Sequence, residues 1–137
     1  MASKPTVAPC RSVTARRDPA SAAAHLNRGV TRARLGDLRG ALADYDRAIA
    51  LDPGFSHTYV NRGLARANLG DHAGALADYD RALELDPQSS RALGMRGVSR
   101  AALGDPRSAI LDYDRCLELA PADAVCLFNR ASSKARL

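Results

Sequence analysis

Residues 56–89 read SHTYVNRGLARANLGDHAGALADYDRALELDPQS, and the same pattern stands 34 residues upstream and 34 downstream. Asn61-Arg62-Gly63 answers to Asn27-Arg28-Gly29 and to Met95-Arg96-Gly97, and Asn129-Arg130-Ala131 supplies a fourth copy. Leu69-Gly70-Asp71 answers to Leu35-Gly36-Asp37 and Leu103-Gly104-Asp105, and each unit closes on a proline at 53, 87 or 121. Self-similarity at a fixed step of this size marks a small supersecondary unit that buries its apolar face by stacking on its neighbours.

Within a unit the sequence predicts a helix, a turn and a second helix. The first segments (22–35, 56–69 and 90–103) carry apolar residues at three- and four-residue spacing, as one face of a helix requires. Gly36, Gly70 and Gly104 stand where a helix ends on a left-handed residue, and Asp37, Asp71 and Asp105 follow as N-caps of the next helix. Pro106 falls in a first turn, where its missing N–H costs nothing. The second helices stop before their prolines, near 51, 85 and 119. Gly29, Gly63 and Gly97 are expected to let the two helices approach closely, each against an alanine of the second helix (Ala41, Ala75, Ala109).

Composition fits this reading. Hydrophobic residues make up 46% of the 137, aromatics only 4%, and tryptophan is absent, so burial rests on Ala, Leu, Val and Ile. That set suits closely packed helices better than a sandwich of sheets. No run approaches the ~18 apolar residues of a membrane span. The net charge of +5 is concentrated at the start, where Lys4, Arg11, Arg16 and Arg17 face only Asp18 within residues 1–21. Residues 1–21 are therefore read as a basic, flexible tail, of which residues 1–17, free of acids, resemble an organelle transit peptide or a plain disordered segment.

On these residues the chain resembles the tetratricopeptide repeat family. Gly63, Ala75, Tyr79, Ala82 and Pro87 meet the family's Gly, Ala, aromatic, Ala and Pro, and the third repeat has Cys116 at the last alanine. The resemblance implies an all-α, right-handed superhelical solenoid of seven helices. It divides the chain into repeats at 22–55, 56–89 and 90–123, and a capping helix at 124–137 that begins a partial fourth. Asp18-Pro19 resembles the closing pair of a preceding repeat.

Where the family expects Leu and Tyr on the first helix, this chain has Arg28 and Arg32, Arg62 and Arg66, Arg96 and Arg100, and the second helices carry Asp44, Asp78 and Asp112. Arginines at i and i+4 share a helix face, so one aspartate on the partner helix meets both. We expect an Arg–Asp–Arg bridge in every repeat as scaffold; an arginine ladder for an anionic ligand is the alternative.

Function in such solenoids is expected on the concave face, lined by first helices. By resemblance the groove is offered by Leu26, Asn27, Val30 and Arg34, then His57, Val60, Asn61, Leu64 and Asn68, then Arg91, Met95 and Val98. Asparagine amides can pair with a peptide backbone while Leu and Val take side chains, which suits an extended peptide or a partner helix. Asn27, Asn61 and Asn129 are equally readable as packing residues of the repeat. Chaperone-binding members grip a C-terminal carboxylate with bases and asparagines from three repeats. Asn61 and Arg91 match two of those places, whereas Leu26, Val30 and Met95 occupy the others and hold no anion.

Catalysis finds no support in the sequence: His25, His57 and His72 show no ligand spacing, no phosphate loop is present, and no metal or cofactor is expected. Tyr45, Tyr79 and Tyr113 read as core aromatics rather than base-stacking platforms, which argues against nucleic acid. The odd number of cysteines (Cys10, Cys116, Cys126), without CxxC, points away from a disulfide framework and toward a reducing compartment, an intracellular and most simply cytoplasmic setting. Cys116 and Cys126 read as packing residues. The expected function is a non-catalytic adaptor that holds a partner's peptide or helix. The alternative is a structural subunit of a large assembly, cytoskeletal or organellar, docked through Arg11, Arg16 and Arg17 and through an apolar last helix carrying Val125 and Phe128. Self-association through that last helix is a further expectation.

Overall fold

A computed structural model describes residues 19–137, which form seven helices and no strand. The chain divides into two compact units that meet in sequence between Phe55 and Ser56. In the first, α1 (Pro19–Arg34) pairs with α2 (Leu38–Leu51). The second contains α3 (Ser56–Asn68), α4 (His72–Leu85), α5 (Ser90–Ala102), α6 (Pro106–Leu119) and α7 (Ala124–Ala135). Within it α3 packs on α4, α4 on α5, α5 on α6 and α6 on α7, and the first helices α3, α5 and α7 touch in turn. Helix α1 opens at Pro19, three residues ahead of the boundary set by the repeat, so Pro19, Ala20 and Ser21 are helical. Arg11, Arg16 and Arg17 lie outside the described residues.

The turns follow the local chemistry. Gly70 has φ +91°, a left-handed conformation that L side chains rarely adopt, and Gly36 and Gly104 repeat it at +89° and +85°. One residue on, the carboxylate of Asp71 accepts the N–H of Gly74 at 2.8 Å, and Asp37 and Asp105 do the same to Gly40 and Ser108 at 2.9 and 3.1 Å. Each cap satisfies an N–H that the helix cannot bond internally. Ser89 and Asp123 cap α5 and α7 through the N–H groups of Ala92 and Cys126.

The core of each pair is built on its tyrosine. A Cβ placed on Gly63 would stand 2.6 Å from Cε1 of Tyr79, and the same holds at Gly29 with Tyr45. The atoms nearest the glycine are therefore those of the tyrosine ring rather than of the alanine read from the sequence as its neighbour. The alanines are fully buried beside it. Tyr79 is 1% exposed, and burial pushes its phenol up to about 12, helped by the negative charge of Asp78. Burial raises Tyr113 in the same way.

One covalent link was not expected. Cys116 on α6 and Cys126 on α7 form a disulfide, buried at 0% and 1% exposure. This corrects the reading of both cysteines as packing residues, and it removes the argument from cysteine usage for a reducing compartment. Asp123 lies within 4.8 Å of both sulfurs, making the one His/Cys/carboxylate group among the described residues tight enough for a metal ion. With the sulfurs joined, only the carboxylate is left as a donor. Alkylation under denaturing conditions without reductant should leave Cys116 and Cys126 unmodified, and modify both after reduction; mass spectrometry of the peptides reads the result.

Candidate partner-binding face and its Arg–Asp scaffold

The predicted bridges form in all three repeats. Asp78 on α4 accepts Nε of Arg62 at 3.2 and 3.1 Å, its Nη2 at 2.7 Å, and Nη1 of Arg66 at 3.0 Å. Asp112 on α6 accepts Nε and Nη2 of Arg96 at 3.0 and 2.8 Å and Nη1 of Arg100 at 2.9 Å. In the first unit Asp44 takes Arg28 and Arg32 with the same geometry. The aspartates are 2–3% exposed, and among the described residues no buried side-chain polar atom lacks a partner. The arginines keep one edge in water, which limits the desolvation that makes buried ion pairs costly.

Each of these carboxylates accepts charge-assisted bonds from two arginines. For Asp44 the hydrogen bond from Arg28 depresses the carboxyl below its ordinary range, against the opposing effect of burial. A group depressed in the folded state contributes stability above its unfolded value, near pH ~4, and loses it as pH falls through the folded value. The melting temperature is therefore expected to drop below about pH 4. Asp44→Asn should flatten that dependence while lowering stability at neutral pH; an unchanged pH profile would show that Asp44 is not part of it.

A second set of bridges ties successive repeats. Arg96 gives its remaining Nη1 to Asp80 on α4 at 2.9 Å, and Arg130 on α7 gives Nη1 to Asp114 on α6 at 3.1 Å. The readable signal was the second aspartate of each Asp-Tyr-Asp-Arg, which stands sixteen residues ahead of the next first-helix arginine. His72 of α4 also meets Ser99 of α5, with Nδ1 and Oγ 3.2 Å apart.

On the first helices of the second unit, Asn61 and Leu64 of α3 and Met95 and Val98 of α5 are half-buried, with His57, Asn68 and Arg91 exposed around them. Val98 also leans on the α5–α6–α7 core. Val60 is 4% exposed and Leu26, in the first unit, 8%, so these two members of the expected groove are core residues unavailable to a ligand. Asn27 and Arg34 of the first unit are exposed and Val30 is half-buried. Tyr59, opposite in register to the groove residues, is covered by the guanidinium groups of Arg62 and Arg81 at 5.8 and 6.0 Å from its ring centroid. On α7, Phe128 and Val125 are 70% and 47% exposed.

Comparison with known proteins agrees with the repeat reading. Tetratricopeptide repeat models match residues 22–55, 57–89 and 90–123. Among solved structures, the first TPR of Spaghetti (RPAP3), bound to the HSP90 peptide SRMEEVD, is similar at TM-score 0.86 and 26% identity over 88% of this chain and 96% of that one. The second TPR domain of human RPAP3, in complex with the HSP70 peptide SGPTIEEVD, gives 0.79 and 27% over 83% and 95%. The Sgt2 TPR domain from Aspergillus fumigatus shares the fold at 0.82 and 20% identity, over 90% of this chain and 82% of that chain. A search of curated proteins returns no match.

Proposed function

The chain belongs to the tetratricopeptide repeat family, and from that premise we propose that it is a protein-interaction adaptor whose α3–α5 face holds an extended segment of a partner. The observation that carries this reading is that Asn61 and Leu64 on α3, and Met95 and Val98 on α5, stay half-buried on two first helices in contact, with Arg91 of α5 exposed. The Asn61 amide can pair with a peptide backbone, the apolar side chains can receive alternate side chains, and Arg91 adds one cation. The two RPAP3 domains, at 26% and 27% identity, bind acidic peptides, which supports a peptide as the ligand class.

This face differs from an acidic-tail receptor in its charge. Met95 brings no base, and the first-unit positions Leu26 and Val30 bring none either. The peptide SRMEEVD is therefore expected to bind no more tightly than about the millimolar range, where a single exposed ion pair leaves it. Micromolar binding that Arg91→Glu abolishes would restore the acidic-tail reading.

Capture from a native extract, read by mass spectrometry, tests the adaptor. The variant Asn61→Ala with Arg91→Glu should lose the principal partner, and a chain lacking residues 1–17 should keep it. The reverse outcome would make the protein an assembly subunit docked by its basic tail, the reading that the exposed Phe128 favours.

A further inference from the structure

We propose that Cys116, Asp123 and Cys126, with both cysteines reduced, form a zinc site joining α6, the turn after it and α7. The site lies apart from the α3–α5 face and goes beyond the adaptor reading.

The ligand atoms are already gathered. The two sulfurs and a carboxylate oxygen lie within 4.8 Å of one another. Cys116 and Cys126 are 0% and 1% exposed, whereas Asp123 is half-buried and opens the cluster to water. Oδ1 of Asp123 accepts the N–H of Cys126 at 3.0 Å, which fixes the carboxylate beside the sulfur and leaves Oδ2 for a metal. Two thiolates and a carboxylate suit zinc, a borderline-soft ion that takes sulfur and oxygen together. They supply three of its four tetrahedral positions, and water takes the last. Zinc in this set carries one net negative charge, which the N-terminus of α7 favours.

The internal repeat shows that the cluster is built at this one place. Cys116 stands where the earlier repeats have Ala48 and Ala82, and Cys126 where they have Thr58 and Ala92. Gly94 stands where Leu26 and Val60 fill the core. A Cβ on Gly94 would lie 2.9 Å from Sγ of Cys126 and 3.8 Å from Sγ of Cys116, so the glycine opens the space that the sulfurs take. Asp123 corresponds to Ser89, which caps α5 without a carboxylate. A disulfide alone accounts for the cysteines and the glycine and gives the carboxylate no part. A metal site uses all four departures.

Disulfide and metal exclude each other. A trialkylphosphine and water break the S–S bond, giving the phosphine oxide and two thiols. As two S–Zn bonds then form, both thiol protons pass to solvent. The site is therefore open only in the reduced chain.

The test uses the full chain carrying Cys10→Ser, so that only this pair supplies thiols, and cobalt(II) as the spectroscopic probe for zinc. After reduction and anaerobic removal of the phosphine, cobalt should saturate at one equivalent. It should give a sulfur-to-cobalt charge-transfer band and tetrahedral d–d bands that zinc abolishes. The oxidised chain should give neither band. Cys116→Ala installs the residue of the earlier repeats and should remove the bands while circular dichroism stays helical. Asp123→Asn keeps a cap and loses the ligand, so affinity should fall by at least about tenfold, no less than the loss of a mere outer partner. Zinc should also raise the melting temperature of the reduced chain, a readout that holds even if reduction loosens α7. Absence of the charge-transfer band, equal binding by the oxidised chain or by Cys116→Ala, or unchanged affinity in Asp123→Asn would overturn the proposal. So would a reduced chain whose melting zinc leaves unchanged.

Discussion

Tyr79→Ala is expected to lower the unfolding free energy by ~3–5 kcal/mol, the range for removing a buried aromatic without collapse of the space it leaves. The ring is 1% exposed, and its edge lies where a Cβ on Gly63 would come within 2.6 Å. The α3 and α4 backbones are thus spaced by this one side chain, and alanine leaves a cavity that neither helix can close without losing the capped turn at Asp71. Urea denaturation followed by helical circular dichroism measures the change. The companion variant Gly63→Val should destabilise in the opposite sense of volume, by overpacking. If both variants kept wild-type midpoints, the ring would not be what sets the spacing.

Asp78→Ala is expected to cost roughly 2–4 kcal/mol, somewhat below the full penalty of breaking a deeply buried ion pair. Its carboxylate is 2% exposed and accepts from both Arg62 and Arg66. Removing it frees two guanidinium groups whose side chains are 18% and 30% exposed, and that access to water keeps the cost from rising further. Asp78→Asn keeps the shape and loses the charge, so it should fall between wild type and alanine. Thermal melts of the three proteins at neutral pH give the order, and identical melts would remove the bridge from the account of stability.

The repeat made most of the fold legible. Gly70 and Asp71 specify a left-handed stop and a capped restart by their own chemistry, so the turns could be placed from the sequence. The Arg–Asp–Arg bridges were legible for a similar reason: Arg62 and Arg66 share a helix face by spacing alone, and the repeat puts one aspartate opposite. What escaped depends on how helices are rotated and stacked. Val60 and Leu26 turn into the core, although the family resemblance placed them in the groove. The ring of Tyr79, rather than Ala75, lies nearest Gly63, a matter of helix rotation. The Asp80–Arg96 bridge joins different repeats, and repetition within one unit does not predict it. Cys116 and Cys126, ten residues apart, meet only because α7 folds back on α6 after Pro121. Their number and motif context pointed the other way.

The central claim is a division of labour: the Arg–Asp–Arg bridges hold the two helices of each repeat together, and the α3–α5 face is proposed to bind. Melting temperature and partner capture, measured side by side on Arg66→Gln and on Asn61→Ala with Arg91→Glu, test it most directly. The account predicts that Arg66→Gln melts lower yet still captures the partner below its transition, while the face variant melts like wild type and captures nothing. If Arg66→Gln lost the partner at an unchanged melting temperature, the arginines would be a ladder for an anionic ligand and the division would be wrong.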